Sequence, residues 1–136
     1  MPIVVQQDPE KILTDFILTV IDGGHLPTPP VGSAWKRGTT VAPGVTPTWF
    51  AQVRAVGGED ENRVAERPLV DVRVWADGSP ATEATVKFAA RVLLARIRQA
   101  FPARVFAVPV QIPDPADPSK VHVLFTVQLL TRGVQQ

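Results

Sequence analysis

Few residues in this chain have the types and spacing that chemistry requires. His25 and His122 are the only histidines, one in a proline-rich loop and one in a strand pattern. The absence of cysteine removes disulfides, thiolate catalysis and cysteine-ligated zinc together. Gly23-Gly24 and Gly57-Gly58 follow a helix and a strand pattern, but neither opens a helix with phosphate-binding spacing. Asp114 and Asp117 stand in Pro113–Ser119, PDPADPS, where turn formation accounts for them better than a calcium loop. Asp71 and Arg73 share one face of a strand, the spacing of cross-strand charge pairs. No catalytic, cofactor-binding or metal-ligating residue is assigned, and no enzymatic activity is expected. The residues that stand out are those of surfaces. Lys87, Arg91 and Arg98 share one stripe of a helix, with Glu83 four residues before Lys87. That stripe is either a solvated face or a contact with another subunit or a nucleic acid. Beside it runs a second apolar stripe of Ala81, Ala84, Phe88, Val92 and Ala95. Trp35, Lys36 and Arg37 set a large apolar group beside two cations inside a loop, a composition suited to an interface anchor. The alternative is that Trp35 folds back onto its own sheet.

The elements that position these residues centre on Pro68 to Phe101, which reads strand, tight turn, long helix. Val70, Val72 and Val74 alternate with Asp71, Arg73 and Trp75, the period of a half-buried strand. Ala76-Asp77-Gly78 is turn chemistry, and Ser79 with Pro80 fits the cap and first position of the next helix. Val86, Ala90, Leu93, Ile97 and Phe101 give that helix its inward face, and Pro102 stops it. An earlier helix opens at Asp8-Pro9-Glu10, carries Leu13, Phe16, Ile17 and Val20 on one stripe, and ends at Gly23-Gly24. Asp8, Glu10, Asp15 and Asp22 against Lys11 make it acidic.

Thr48 to Val56 reads as a strand with Trp49, Ala51, Val53 and Ala55 on one face. Gly57 to Arg67 is a charged connector or the tip of a long hairpin. Arg104 to Ile112 alternates weakly around Pro109, which marks an edge strand. Val121 to Leu130 is the clearest strand, with Val121, Val123, Phe125, Val127 and Leu129 on one side. Residues 1–7 are a leader, 23–47 a long Pro/Gly loop expected to be mobile in the free subunit, and 131–136 a frayed tail. With 136 residues, 45% hydrophobic and 20% charged, the chain has material for one globular domain rather than two. The expected fold is α+β: a mainly antiparallel sheet of about four strands with two helices on one face, in the order α-β-β-α-β-β. A net charge of +1 does not decide for or against nucleic acid. No apolar run approaches the roughly 20 residues of a membrane span, and the N-terminal MPIVVQQDPEK has no signal-peptide pattern. Synthesis in the cytoplasm is expected.

The order of these elements resembles a known family. An N-terminal amphipathic helix, a long Gly/Pro loop, a strand pair whose second member reads VDVRVWADGSPATEA and runs into a helix, and two closing strands cover residues 8 to 130. The pattern is similar to the tail terminator (tail completion) proteins of long-tailed bacteriophages, the lambda tail terminator-like group. The most specific piece is Val70–Trp75 with the turn and helix to Phe101. What the resemblance implies is a structural virion protein at the neck end of the tail. It implies a homo-oligomer, a hexameric ring that caps the tail tube, ends its polymerisation and offers the joining surface to the head-tail connector or neck protein. Its implied partners are the major tail tube protein and that connector. DNA is implied only as passing through the ring lumen, with no membrane and no cofactor. The alternatives are another neck or connector component of the virion, and a non-viral small binding module.

Overall fold

The computed structural model describes residues 4–5, 8–30, 33–36, 48–60, 65–76, 82–113, 121–132 and 134–135. Helix α1 (Pro9–Asp22) begins as its sequence dictates. Asp8 Oδ1 accepts hydrogen bonds from the backbone N–H groups of Glu10 at 3.0 Å and Lys11 at 3.4 Å, two donors that the first turn would otherwise leave unpaired. Leu13, Ile17 and Val20 are buried, and Phe16 is half-buried. The chain leaves the helix through Gly24 at φ 69, a left-handed turn that glycine adopts freely.

Four long antiparallel strands follow: β2 (Phe50–Asp60), β3 (Ala65–Trp75), β4 (Ala103–Pro113) and β5 (Val121–Leu129). They lie in the order β2-β3-β5-β4, so β2 and β4 are the edges. Helix α2 (Glu83–Ala100) connects β3 to β4, which is not its neighbour, and β5 returns to fill the gap. Both helices pack on one face of the sheet. There Val70, Val72 and Val74 of β3 and Val123, Phe125, Val127 and Leu129 of β5 meet Leu13, Ile17, Val86, Ala90, Leu93 and Ile97. The α+β architecture expected from the periodicities is the one observed.

Several boundaries differ from those the sequence suggests. Of the two readings of Gly57 to Arg67, the described residues take the hairpin: the ladder between β2 and β3 continues through Gly58↔Pro68, Glu59↔Arg67 and Asp60↔Glu66. A bulge between Ala55 and Gly58 sets Val56 and Gly57 against Leu69, and Gly58 resumes the pairing. Gly57 and Gly58 sit at φ 118 and 141, where any side chain is strained. Trp49 is not part of the strand. It sits at φ 51, ahead of β2, yet its ring is buried in the core. The tail is not frayed through residues 131–132 and 134–135: Thr131–Arg132 (β6) pairs with Glu66 and Ala65, and Val134–Gln135 (β7) pairs with Val5 and Val4 of the leader (β1). Extended ends gain partners for their backbone groups in this way. Helix α2 has Thr82 at its cap position without a side-chain cap bond; Ser79 and Pro80 lie outside the described residues.

Candidate interaction surface

Helix α2 is two-sided. Val86, Ala89, Ala90, Leu93 and Ile97 are buried, as the 3.6-residue period requires. Phe101 closes the helix in an extended conformation and meets the Phe16 ring edge-on, with centroids 5.1 Å apart. The opposite side leaves Ala84, Lys87, Phe88, Arg91, Ala95 and Arg98 exposed. Of the second apolar stripe, Val92 packs against the core, Ala84, Phe88 and Ala95 face outward, and Ala81 lies outside the described residues. Phe88 is 58% exposed, which places its ring in solvent in the single chain.

Beside α2, the edge strand β4 adds more apolar surface. Phe106, Val108 and Val110 are 66%, 70% and 52% exposed. Two register irregularities interrupt the β4–β5 ladder, between Val105 and Ala107 and between Ala107 and Val110. With Pro109 inside the second, they spoil the strand's outer edge as a template for further pairing. The same irregularities turn apolar side chains to both faces. Val110 pairs with Leu124 on the face away from the helices, whereas Val108 lines a groove of about 460 Å³ against α2. The other groove walls are Arg91, Leu94, Ala95, Arg98 and Pro109. The sequence singled out Arg91 and Arg98 and read Arg104 to Ile112 as an edge strand, but did not join that strand to this surface. Its signal was an apolar residue at nearly every position from Val105 to Val110, where a half-solvated strand would alternate.

The charges on this surface are unbalanced. Lys87, Arg91, Arg98 and Arg104 are exposed, and their side chains make no hydrogen bond or ion pair among the described residues. Glu83 Oε1 instead accepts from Gln111 Nε2 of β4 at 3.3 Å, tying the start of the helix to the sheet. The carboxylates of α1 are largely engaged at home. Glu10 Oε1 accepts from the Ala55 backbone N–H at 2.8 Å. Lys11 Nζ donates to Asp15 Oδ2 at 2.8 Å, and that hydrogen bond holds the lysine pKa above its ordinary value.

Trp35 and Lys36 lie far from this surface in role. Trp35 is half-buried and packs against the chain's own core. Its ring meets Trp49 edge-on with centroids 5.3 Å apart, and its Nε1 donates to the Pro27 carbonyl at 2.8 Å. The Lys36 backbone N–H donates to the Trp49 carbonyl at 2.8 Å, while its side chain is exposed. Of the two readings of Trp35, the structure takes the one in which it folds back onto its own domain. Arg37 lies outside the described residues.

The histidines stay apart. His25 is exposed, with Nδ1 3.0 Å from Arg96 Nη2. His122 is fully buried, stacked on Trp75 at 4.1 Å, with Nε2 3.4 Å from Arg73 Nη1. A guanidinium only donates, so each of these ring nitrogens is the acceptor. Asp71 accepts from Thr126 Oγ1 at 2.6 Å, so its partner is a cross-strand hydroxyl. No cluster of three potential metal ligands occurs among the described residues, and no described helix is long and apolar enough to cross a membrane. Neither a scan against protein-family models nor a search of curated proteins finds a match for this chain.

Proposed function

We propose that this protein is a structural subunit of the tail-terminator kind: a hexameric ring that caps the tail tube of a long-tailed phage, ends its polymerisation and receives the head-tail connector. The observation that carries the reading is the outer surface of α2 and β4. Phe88 on α2 and Phe106, Val108 and Val110 on the two faces of β4 are a large set of solvent-facing apolar groups for an isolated small domain, and exposed apolar surface of this kind marks association. Lys87, Arg91 and Arg98 add exposed charge that has no partner among the described residues. The element order along residues 8 to 130 supplies the resemblance to terminators, and a structural role needs no site chemistry. Tail growth tests it. Added to tube protein assembling from its initiator, the chain stops lengthening and ends up at the growing tip. Tubes that reach the same lengths with and without it contradict the reading.

A further inference from the structure

Along α2 the lining of the α2–β4 groove runs Arg91, Leu94, Ala95, Arg98, so a guanidinium stands at each end and apolar side chains lie between. Val108 and Pro109 of β4 form the opposite wall. Lys87 shares the cationic stripe, four residues before Arg91. From Glu83 to Pro113 the sequence carries five cations, Lys87, Arg91, Arg96, Arg98 and Arg104, against one carboxylate, Glu83. Glu83 accepts from Gln111, and Arg96 meets His25. The other four cations are exposed and make no hydrogen bond or ion pair among the described residues.

We propose that this groove binds an acidic amphipathic helix of another protein. Its charge selects carboxylates. A guanidinium pairs with a carboxylate through two parallel hydrogen bonds, and such a partner also relieves the repulsion of Lys87 and Arg91 one turn apart. Its apolar lining selects a side chain between those carboxylates. Seven residues separate Arg91 from Arg98, roughly 10 Å along the helix. Two carboxylates two turns apart on one stripe of a docked helix reach both guanidiniums, and an apolar residue between them meets Leu94, Ala95 and Val108. The edge strand selects a helix over an extended peptide. An added strand needs a regular edge, and β4 presents two register irregularities with Pro109 inside the second. A helix satisfies its own backbone and needs none from β4. The chain's own acidic helix, α1, buries Leu13, Ile17 and Val20 in its core, so a second copy does not supply the occupant. Nucleic acid calls for a broad basic surface. Here the chain's 14 cations and 13 carboxylates leave nine and twelve outside residues 83–113, so the basic area is confined to this one edge. Phe88 on α2 and Val110 on the other face of β4 do not line the groove and remain for a neighbouring copy, so this docking neither requires a ring nor forbids one.

The test is a titration of the full chain into labelled probes at low salt, read by fluorescence anisotropy. One probe is an amphipathic helix with leucine on one face and glutamate beside it. The second has lysine in place of each glutamate, and the third is an oligothymidylate. The acidic helix binds, the lysine helix does not, and added salt weakens the binding. Arg91→Glu with Arg98→Glu weakens it by about tenfold or more. Arg54→Glu, at an exposed arginine of β2 on the far edge, leaves it unchanged. A thermal melt of each variant reports folding. If the double variant melts early, Val108→Glu takes its place: it keeps both arginines, sets a carboxylate in the apolar wall and weakens the binding likewise. Absence of binding by the acidic helix, equal binding by the lysine helix, binding unchanged in the groove variants, or tighter binding of the oligothymidylate overturns the proposal. Tail growth judges the ring reading separately, so either can fail while the other stands.

Discussion

Phe88 and Leu93 sit less than two turns apart on one helix and carry opposite expectations. Leu93 is fully buried, so Leu93→Ala loses transfer energy and leaves a cavity, costing about 2–5 kcal/mol in a denaturant melt. Phe88 is mostly in solvent, so Phe88→Ala changes folding stability by no more than about 0.5 kcal/mol while it weakens association measured by native mass. A substantial loss of stability at Phe88 would show a packing role in the single chain. Trp35 falls between them. It loses a hydrogen bond to Pro27 and an edge-on contact with Trp49, so Trp35→Ala lowers stability by about 1–3 kcal/mol. The loop sequence around Trp35 shows only prolines, glycines and an aromatic beside cations. Nothing in that spacing reveals Trp49, whose left-handed backbone precedes β2 and whose carbonyl accepts from the Lys36 N–H.

At the scale of elements, legibility followed the strength of local rules. Asp8-Pro9-Glu10 and the stripe from Leu13 to Val20 fix α1, because capping and 3.6-residue periodicity act within a few residues. Val121 to Leu129 is equally plain, with strict alternation in β5. The long hairpin was harder. Gly57-Gly58 followed by charges carries the composition of a loop, and only the cross-strand register shows a bulge with pairing beyond it. The terminal ladders are two residues each, too short for any periodicity to register. The bulge makes its own prediction. Gly58→Ala combines a φ that disfavours side chains with a collision at Pro68, so the hairpin end loses amide protection in hydrogen exchange. Unchanged protection at Arg67 and Glu66 would mean the bulge tolerates a methyl group.

For the whole molecule, the sheet is covered by helices on one face, while the outer side of α2 and the edge strand β4 retain apolar and cationic groups with no partner among the described residues. The amphipathic stripes of α2 were readable, and with them the residues Lys87, Phe88, Arg91 and Arg98. Their union with β4 into one surface was not, because it depends on the crossover that sets β4 beside α2 at the far edge. The acidic character of α1 is largely consumed inside the chain by Glu10, Asp15 and the Asp8 cap. The most direct measurement is an electron-microscopy reconstruction of the neck end of phage tails containing this chain. The account predicts a sixfold ring of this chain stacked on the last tube ring, with the outer face of α2 and β4 covered by a neighbouring copy. A ring seated against the portal, or a chain that stays monomeric and joins no tail component, would contradict it.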